Sequence, residues 1–248
     1  MSDALPIWGV MRRNGAALVA LPLVCASAML GAGCGGVVSK THPVGASAVA
    51  LANTINLRPA DVSGLAGRFE RDREAPSGPL GNCADVSARG LVGFLSQRFG
   101  RGGTQVPPTE SVSSGVYLMA SEAQATRELS ALGSSRARAC IQHDAEHSIA
   151  QGEREGTRPV LRTPVEVLSL APLLRPLPVA GMRRIERLST GSHLGDGRAK
   201  VYVDQCGLAV GRVLVILLAV GSPHPVPLVT ERRLLALLHS RATEAYRH

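Results

Sequence analysis

The feature that most constrains this chain is a short uncharged apolar stretch, Gly15 to Leu30, with Arg12-Arg13 before it and Cys34 just after it. Its sixteen residues fall short of the ~20 needed to cross a bilayer as a helix, and they suit the apolar region of an export signal. A chain exported this way folds outside the reducing cytoplasm, where cysteines can pair and a compact domain can be stapled.

The run Leu30-Gly31-Ala32-Gly33-Cys34-Gly35-Gly36 follows directly. It resembles a bacterial lipobox, in which small residues precede a cysteine that is diacylated and becomes the new N-terminus. Small side chains let the backbone enter a peptidase cleft, and the thiol is the nucleophile for lipid transfer. Gly31 stands where that pattern usually has Leu, and Leu30 lies one position earlier. Gly35-Gly36 and the small or polar run to about Ser47 read as a flexible tether.

The expected organisation is a signal peptide over 1–33, a lipidated cysteine and tether over 34–47, and one domain over 48–248. Translation from Met11 would put the arginines at the head of a conventional signal. Cleavage after Ala28, at Ala26-Ser27-Ala28, is the alternative and would give a soluble secreted protein of the same fold. No second segment has membrane length; Val213 to Val220 reads as a buried strand.

Of five cysteines, Cys25 is lost with the signal and Cys34 is assigned to lipid. Cys83, Cys140 and Cys206 remain, which is one pair and an odd thiol. Cys83 lies in a turn-rich stretch and Cys140 on a helix; a bridge between them would close a long loop. Cys206, beside Gly207 between two strand-like runs, reads as a buried free thiol. The alternative leaves all three reduced.

The net charge of +8 falls to +7 once Arg12, Arg13 and Asp3 are removed with the signal. The arginines are scattered and aromatics make up only 3% of the chain. Bases would find little to stack on, so nucleic acid is not an expected partner. The core must be aliphatic.

After an approach at Asn56–Arg58, Pro59 opens a short helical turn. Leu91–Leu95 is a strand or a short helix, 102–110 a loop, and Ser111–Met119 a strand. Ser121 caps a helix through Leu132, Gly133-Ser134-Ser135 interrupts it, and a second helix runs from Arg136 to about Ile149. Strands follow at Val160–Leu170, Met182–Leu188, Ala199–Val203 and Leu208–Ala219, with turns at Gly191–Gly197 and Gln205–Gly207. Thr230–Tyr246 is an amphipathic helix with Leu234, Leu235, Leu237 and Leu238 inward. This order predicts an α+β fold with a twisted, mainly antiparallel sheet flanked by helices, the C-terminal one included.

The layout itself carries a resemblance. An early Leu57-Arg58-Pro59-Ala60-Asp61-Val62 turn, a first cysteine, a strand ending in Met119-Ala120-Ser121 and an Ala-rich helix leading to a second cysteine come in that order. The strand Gly207–Arg212 and the C-terminal helix complete it. This is similar to the extracellular sensor domains of actinobacterial serine/threonine kinases and their free-standing lipoprotein relatives, although a second disulfide is missing. The resemblance implies a twisted antiparallel sheet with helices and a binding role, for a small ligand or an envelope protein.

Catalytic patterns are sparse. His143-Asp144-Ala145-Glu146-His147 matches H-x-x-E-H, which places two imidazoles on one helix face, as a zinc hydrolase requires. No third ligand accompanies it, and a solvated helix end explains it as well. Ser192-His193 near Asp196 is ordinary turn composition. The expectation is therefore no enzyme, no cofactor and no metal. What remains is an envelope lipoprotein held to the membrane by its lipid on the extracytoplasmic side.

Overall fold

Eight consecutive apolar residues from Val213 to Val220 need cover on both faces, because nothing in the run alternates. The computed structural model provides it. It describes residues 46–68, 83, 92–96, 98–101, 110–154, 160–161, 164–192 and 195–247, all within one unit, His42–His248. Residues 1–45, with Met11, Ala28 and Cys34 among them, and residues 102–109 lie outside the described residues, and Glu110, expected at the end of a loop, is the first residue of a strand.

The first half contains α1 (Ala46–Ile55), a 3-10 turn (Pro59–Asp61), β1 (Ala66–Arg68), β2 (Val92–Leu95), β3 (Arg98–Arg101), β4 (Glu110–Leu118), α2 (Glu122–Leu132) and α3 (Ser135–Arg154). The second contains β5 (Val160–Leu161), β6 (Glu166–Ser169), a 3-10 turn (Ala171–Leu173), β7 (Ala180–Ser192), β8 (Gly195–Val210), β9 (Val213–Gly221) and α4 (Leu228–Arg247). The fold is α+β. One sheet runs β1-β3-β4-β9-β8-β7-β5, with β2 also on β4 and β6 also on β7. Every pairing among the described strands is antiparallel.

Strand β9 sits in the middle. Its Val213, Val215, Leu217 and Ala219 join the core under α1 and α4. Leu214 and Ile216 point the other way, into the core under α2. Farther along that second face, Ala145 and Ile149 of α3 pack on Leu188 and Val201. The result is three layers, with α1 and α4 on one face and α2 and α3 on the other. Leu234, Leu235 and Leu238 of α4 are fully buried, each worth roughly 1.5–3 kcal/mol of transfer free energy. Leu237 is only half-buried, at the edge of that stripe.

Local chemistry sets the helix ends. Ser121 caps α2 by accepting from the Gln124 N–H at 3.2 Å, while the Gln124 side chain accepts from the Ala120 N–H at 3.0 Å. Ser134 does the same for α3, accepting from Ala137 N–H at 3.0 Å. At the end of α1, the buried Ser114 hydroxyl accepts from Leu57 N–H at 2.9 Å and donates to Asn56 Oδ1 at 2.8 Å. That node ties α1 to β4.

Four further expectations change. Gln205–Gly207 is not a turn: β8 runs straight through it. Gly207 is there because a Cβ would come within 2.8 Å of Leu132 and 2.9 Å of Ile216, so its missing side chain lets α2 approach the sheet. The real turn lies at Gly211-Arg212, with Gly211 at φ 54° beneath the Tyr246 ring. The Val160–Leu170 run divides into β5 and β6, and α3 continues to Arg154, beyond the end expected at about Ile149. Finally, α1 begins at Ala46, so Ala46 and Ser47, the last two residues of the expected tether, belong to a helix packed on α4 through Ala52 and Ile55.

Candidate functional site

The chemically loaded part of the described protein lies where α4 starts, over β7 and β8. Strand pleating turns Arg183 of β7 and Asp204 of β8 to the α4 face, and the hairpin register sets them opposite each other. The guanidinium donates through Nε to Asp204 Oδ1 at 2.7 Å and through Nη2 to Oδ2 at 2.6 Å. This fork is the strong bidentate form of ion pair. Glu231, in the first turn of α4, faces the same point, with its Oε1 3.9 Å from Arg183 Nη2. Cys206 follows Asp204 on the same side of β8, and Cys206, Asp204 and Glu231 are all fully buried.

Burial decides the charge states. It pushes the Glu231 carboxyl up to about 9, with the Asp204 carboxylate adding to the rise and Arg183 opposing it. Glu231 is therefore protonated at neutral pH, and neither of its carboxyl oxygens has a hydrogen-bond partner among the described residues. Burial also drives the Cys206 thiol upward, reinforced by Glu231 and Asp204. A thiol in that state is a poor nucleophile. The net result is an Arg183–Asp204 ion pair within the sheet, covered by the neutral Glu231 of α4 and the Cys206 thiol.

The cluster reaches solvent at Tyr202, two residues before Asp204 and on the same face. The Arg183 guanidinium lies 5.7 Å from the Tyr202 ring centre and Lys200 Nζ lies 4.9 Å from it. Such placements favour a cation over the ring face. Beside them, Arg187 Nη1 donates to the exposed Glu166 carboxylate, whose pKa that hydrogen bond lowers. This basic and aromatic rim is what the buried cluster presents to the outside.

A second ion pair fastens α4 to the turn after α1. Arg241 forks onto Asp61 at 2.7 and 2.8 Å and also donates to the Asn56 carbonyl at 3.1 Å. Burial raises the Asp61 pKa, but the Arg241 and Arg58 hydrogen bonds and charges outweigh it, so the carboxyl ends below its ordinary value.

The residues singled out in the sequence fall elsewhere. Cys83 and Cys140 form a disulfide across 57 residues, and Cys206 is a buried free thiol. His143 and His147 are exposed on α3 with ring centres 6.5 Å apart. Glu146 turns instead to structure: it accepts from Val165 N–H at 2.9 Å and from Gln142 Nε2 at 3.3 Å. Among the described residues no three His, Cys, Asp or Glu side chains are grouped to hold a metal ion. His193 and Cys34 lie outside the described residues.

Sequence reading missed the Arg183–Asp204–Glu231 cluster. One signal was present: Glu231 falls on the apolar stripe of α4, three and four residues before Leu234 and Leu235. The Arg183–Asp204 pairing had none, because it depends on the register of a long hairpin.

No protein-family model matches the chain, and no curated protein matches it either. Among solved structures, the extracellular domain of PknH from Mycobacterium tuberculosis aligns with a TM-score of 0.37 and 10% sequence identity, over 79% of this chain and 95% of that chain. A likeness at that level assigns no family and no activity.

Proposed function

We propose that this protein is an exported lipoprotein, acylated at Cys34 and held to the extracytoplasmic face of a membrane, whose domain binds a small ligand or an envelope protein without catalysis. The Cys83–Cys140 disulfide carries this reading, because a structural bridge persists in an oxidising compartment and not in a reducing one. It agrees with reading the basic pair Arg12-Arg13 and the apolar run Gly15–Leu30 as an export signal. The lipobox and the glycine-rich run after it favour anchoring over release at Ala28.

The non-catalytic part rests on the state of the buried cluster. Arg183 and Asp204 satisfy each other, Glu231 is neutral, and the Cys206 thiol is held protonated, so the groups with unusual ionisation are sealed into packing. A ligand would meet the rim of Tyr202 and Lys200, which suits an acidic group.

The test is fractionation of producing cells after a high-salt wash. Wild-type protein should stay with membranes, and Cys34→Ser should move to the soluble extracytoplasmic fraction. Equal retention of both would sink the anchor assignment.

A further inference from the structure

We propose that the layer formed by α1 and α4 faces the membrane and rests on anionic lipid headgroups, a reading that builds on anchoring at Cys34. The two helical layers differ in charge. With the buried Glu231 and Glu128 set aside, residues 46–62 and α4 carry five arginines, Arg58, Arg232, Arg233, Arg241 and Arg247, against two carboxylates, Asp61 and Glu244. The sequence of α2 and α3 carries four arginines against four carboxylates. The same sheet separates a basic layer from a balanced one.

The tether enters the basic layer. Eleven residues separate Cys34 from Ala46, the first residue of α1. Even fully extended, eleven residues reach at most about 36–40 Å. The negative potential of a lipid surface fades within about 8 Å at physiological ionic strength. An anchored domain therefore stays close enough for one face to settle on the headgroups, and the opposite layer stands too far off to feel them.

The outer surface suits such a contact. Helix α1 has no charged residue, and its Val49 is 39% exposed, as Val229 of α4 is at 74%. On α4, Val229, Arg233, Ala236, Ser240, Glu244 and Arg247 follow helical spacing along the stripe opposite Leu234, Leu235 and Leu238, one carboxylate among them. Small side chains between the arginines let the backbone come near the headgroups, and a guanidinium matches a phosphate in bidentate fashion. Arg233 is positioned by its 3.0 Å bond to the Asp61 carbonyl, and Arg232 by donating to the Leu173 carbonyl. Both remain exposed.

The experiment compares partition of the cell-processed protein between vesicles of phosphatidylcholine alone and vesicles also containing phosphatidylglycerol. The ratio of the two removes any common contribution from an acyl chain. Wild type should prefer the anionic vesicles by tenfold or more, and high salt should abolish the preference. Each arginine near a lipid surface is worth roughly fivefold, so Arg233→Glu with Arg247→Glu should lower the ratio by at least ~20-fold. Arg247→Glu alone, at the helix end, should lower it in the same direction if the double variant folds poorly. Arg127→Glu with Arg136→Glu, on the balanced layer, should leave it unchanged. A wild-type ratio near one, or an equal fall for both double variants, overturns the proposal. Intact mass of the same protein separates the two readings: an acylated protein with a ratio near one keeps the anchor and loses this face. An unacylated protein with a high ratio does the reverse.

Discussion

On one face of the sheet, α1 and α4 pack through Ala52, Ile55, Leu234, Leu235 and Leu238, and charge adds to this: Glu231 of α4 sits over the strand pair Arg183–Asp204, and Arg241 of α4 forks onto Asp61 in the turn after α1. On the other face, α2 and α3 pack through small and sulfur-containing residues such as Ala125, Ala137, Met119 and Met182, and Cys140 of α3 is covalently tied to Cys83. Both layers cover the same strands, so the sheet does not explain the difference. The charge-fastened layer should answer to pH and to loss of an arginine, and the disulfide-fastened layer to reductant. Two helical layers on one sheet can thus fail under different conditions.

The largest expected effect is in the charged layer. Arg183→Ala would leave Asp204 buried without its cation and should cost about 3–5 kcal/mol, measured as a shift in urea midpoint at neutral pH. A loss below about 1 kcal/mol would mean the pair behaves like a surface bridge, and the contrast between the layers would fail. In the other layer, Cys140→Ser should cost ~4 kcal/mol on the chain-entropy account of a loop this long. Hydrogen exchange should then rise first in α3, while α4 keeps its protection. Equal loosening of both helices would show that the layers are one cooperative block.

A pH series separates the two layers further. The folded-state pKa of Glu231, about 9, lies above its ordinary value of 4.5. Between those values the folded protein holds a proton that the unfolded chain releases, so its contribution to stability is full below about pH 4.5 and lost as pH rises towards 9. Thermal midpoints taken from pH 5 to pH 9 should therefore fall, and Glu231→Gln should flatten that slope. An unchanged slope in the variant would assign the pH response elsewhere. The smallest effect is local to the disulfide layer. Ser121→Ala removes the cap of α2 and should cost about 1 kcal/mol without altering the pH slope.

Much of the fold was legible because its signals are local. The Ser121 cap, the Gly133 interruption, the leucine stripe of α4 and the apolar run of β9 each specify an element within a few residues. Counting left Cys83, Cys140 and Cys206 with three possible pairings, and the place of Cys206 between strand-like runs singled out the Cys83–Cys140 bond. The errors arose where tertiary contact overrides a local sign. Gly207 reads as a turn, yet it is a strand residue whose missing Cβ admits Leu132. Ala46–Ile55 has no polar stripe to mark it as helix, and its stability comes from burial of Ala52 and Ile55 beside α4. The charge cluster stayed hidden for a third reason: Arg183 and Asp204 meet only when a thirteen-residue strand and a sixteen-residue strand pair in one register.

Anchoring of this domain turns on the identity of the mature N-terminus, which can be read directly. Protein extracted from membranes of the native host should be digested and its N-terminal peptide analysed by mass spectrometry. The expected peptide begins at Cys34 and carries a thioether-linked diacylglycerol. An unmodified peptide beginning at Met29 would contradict it, and would make this a secreted protein cleaved after Ala28.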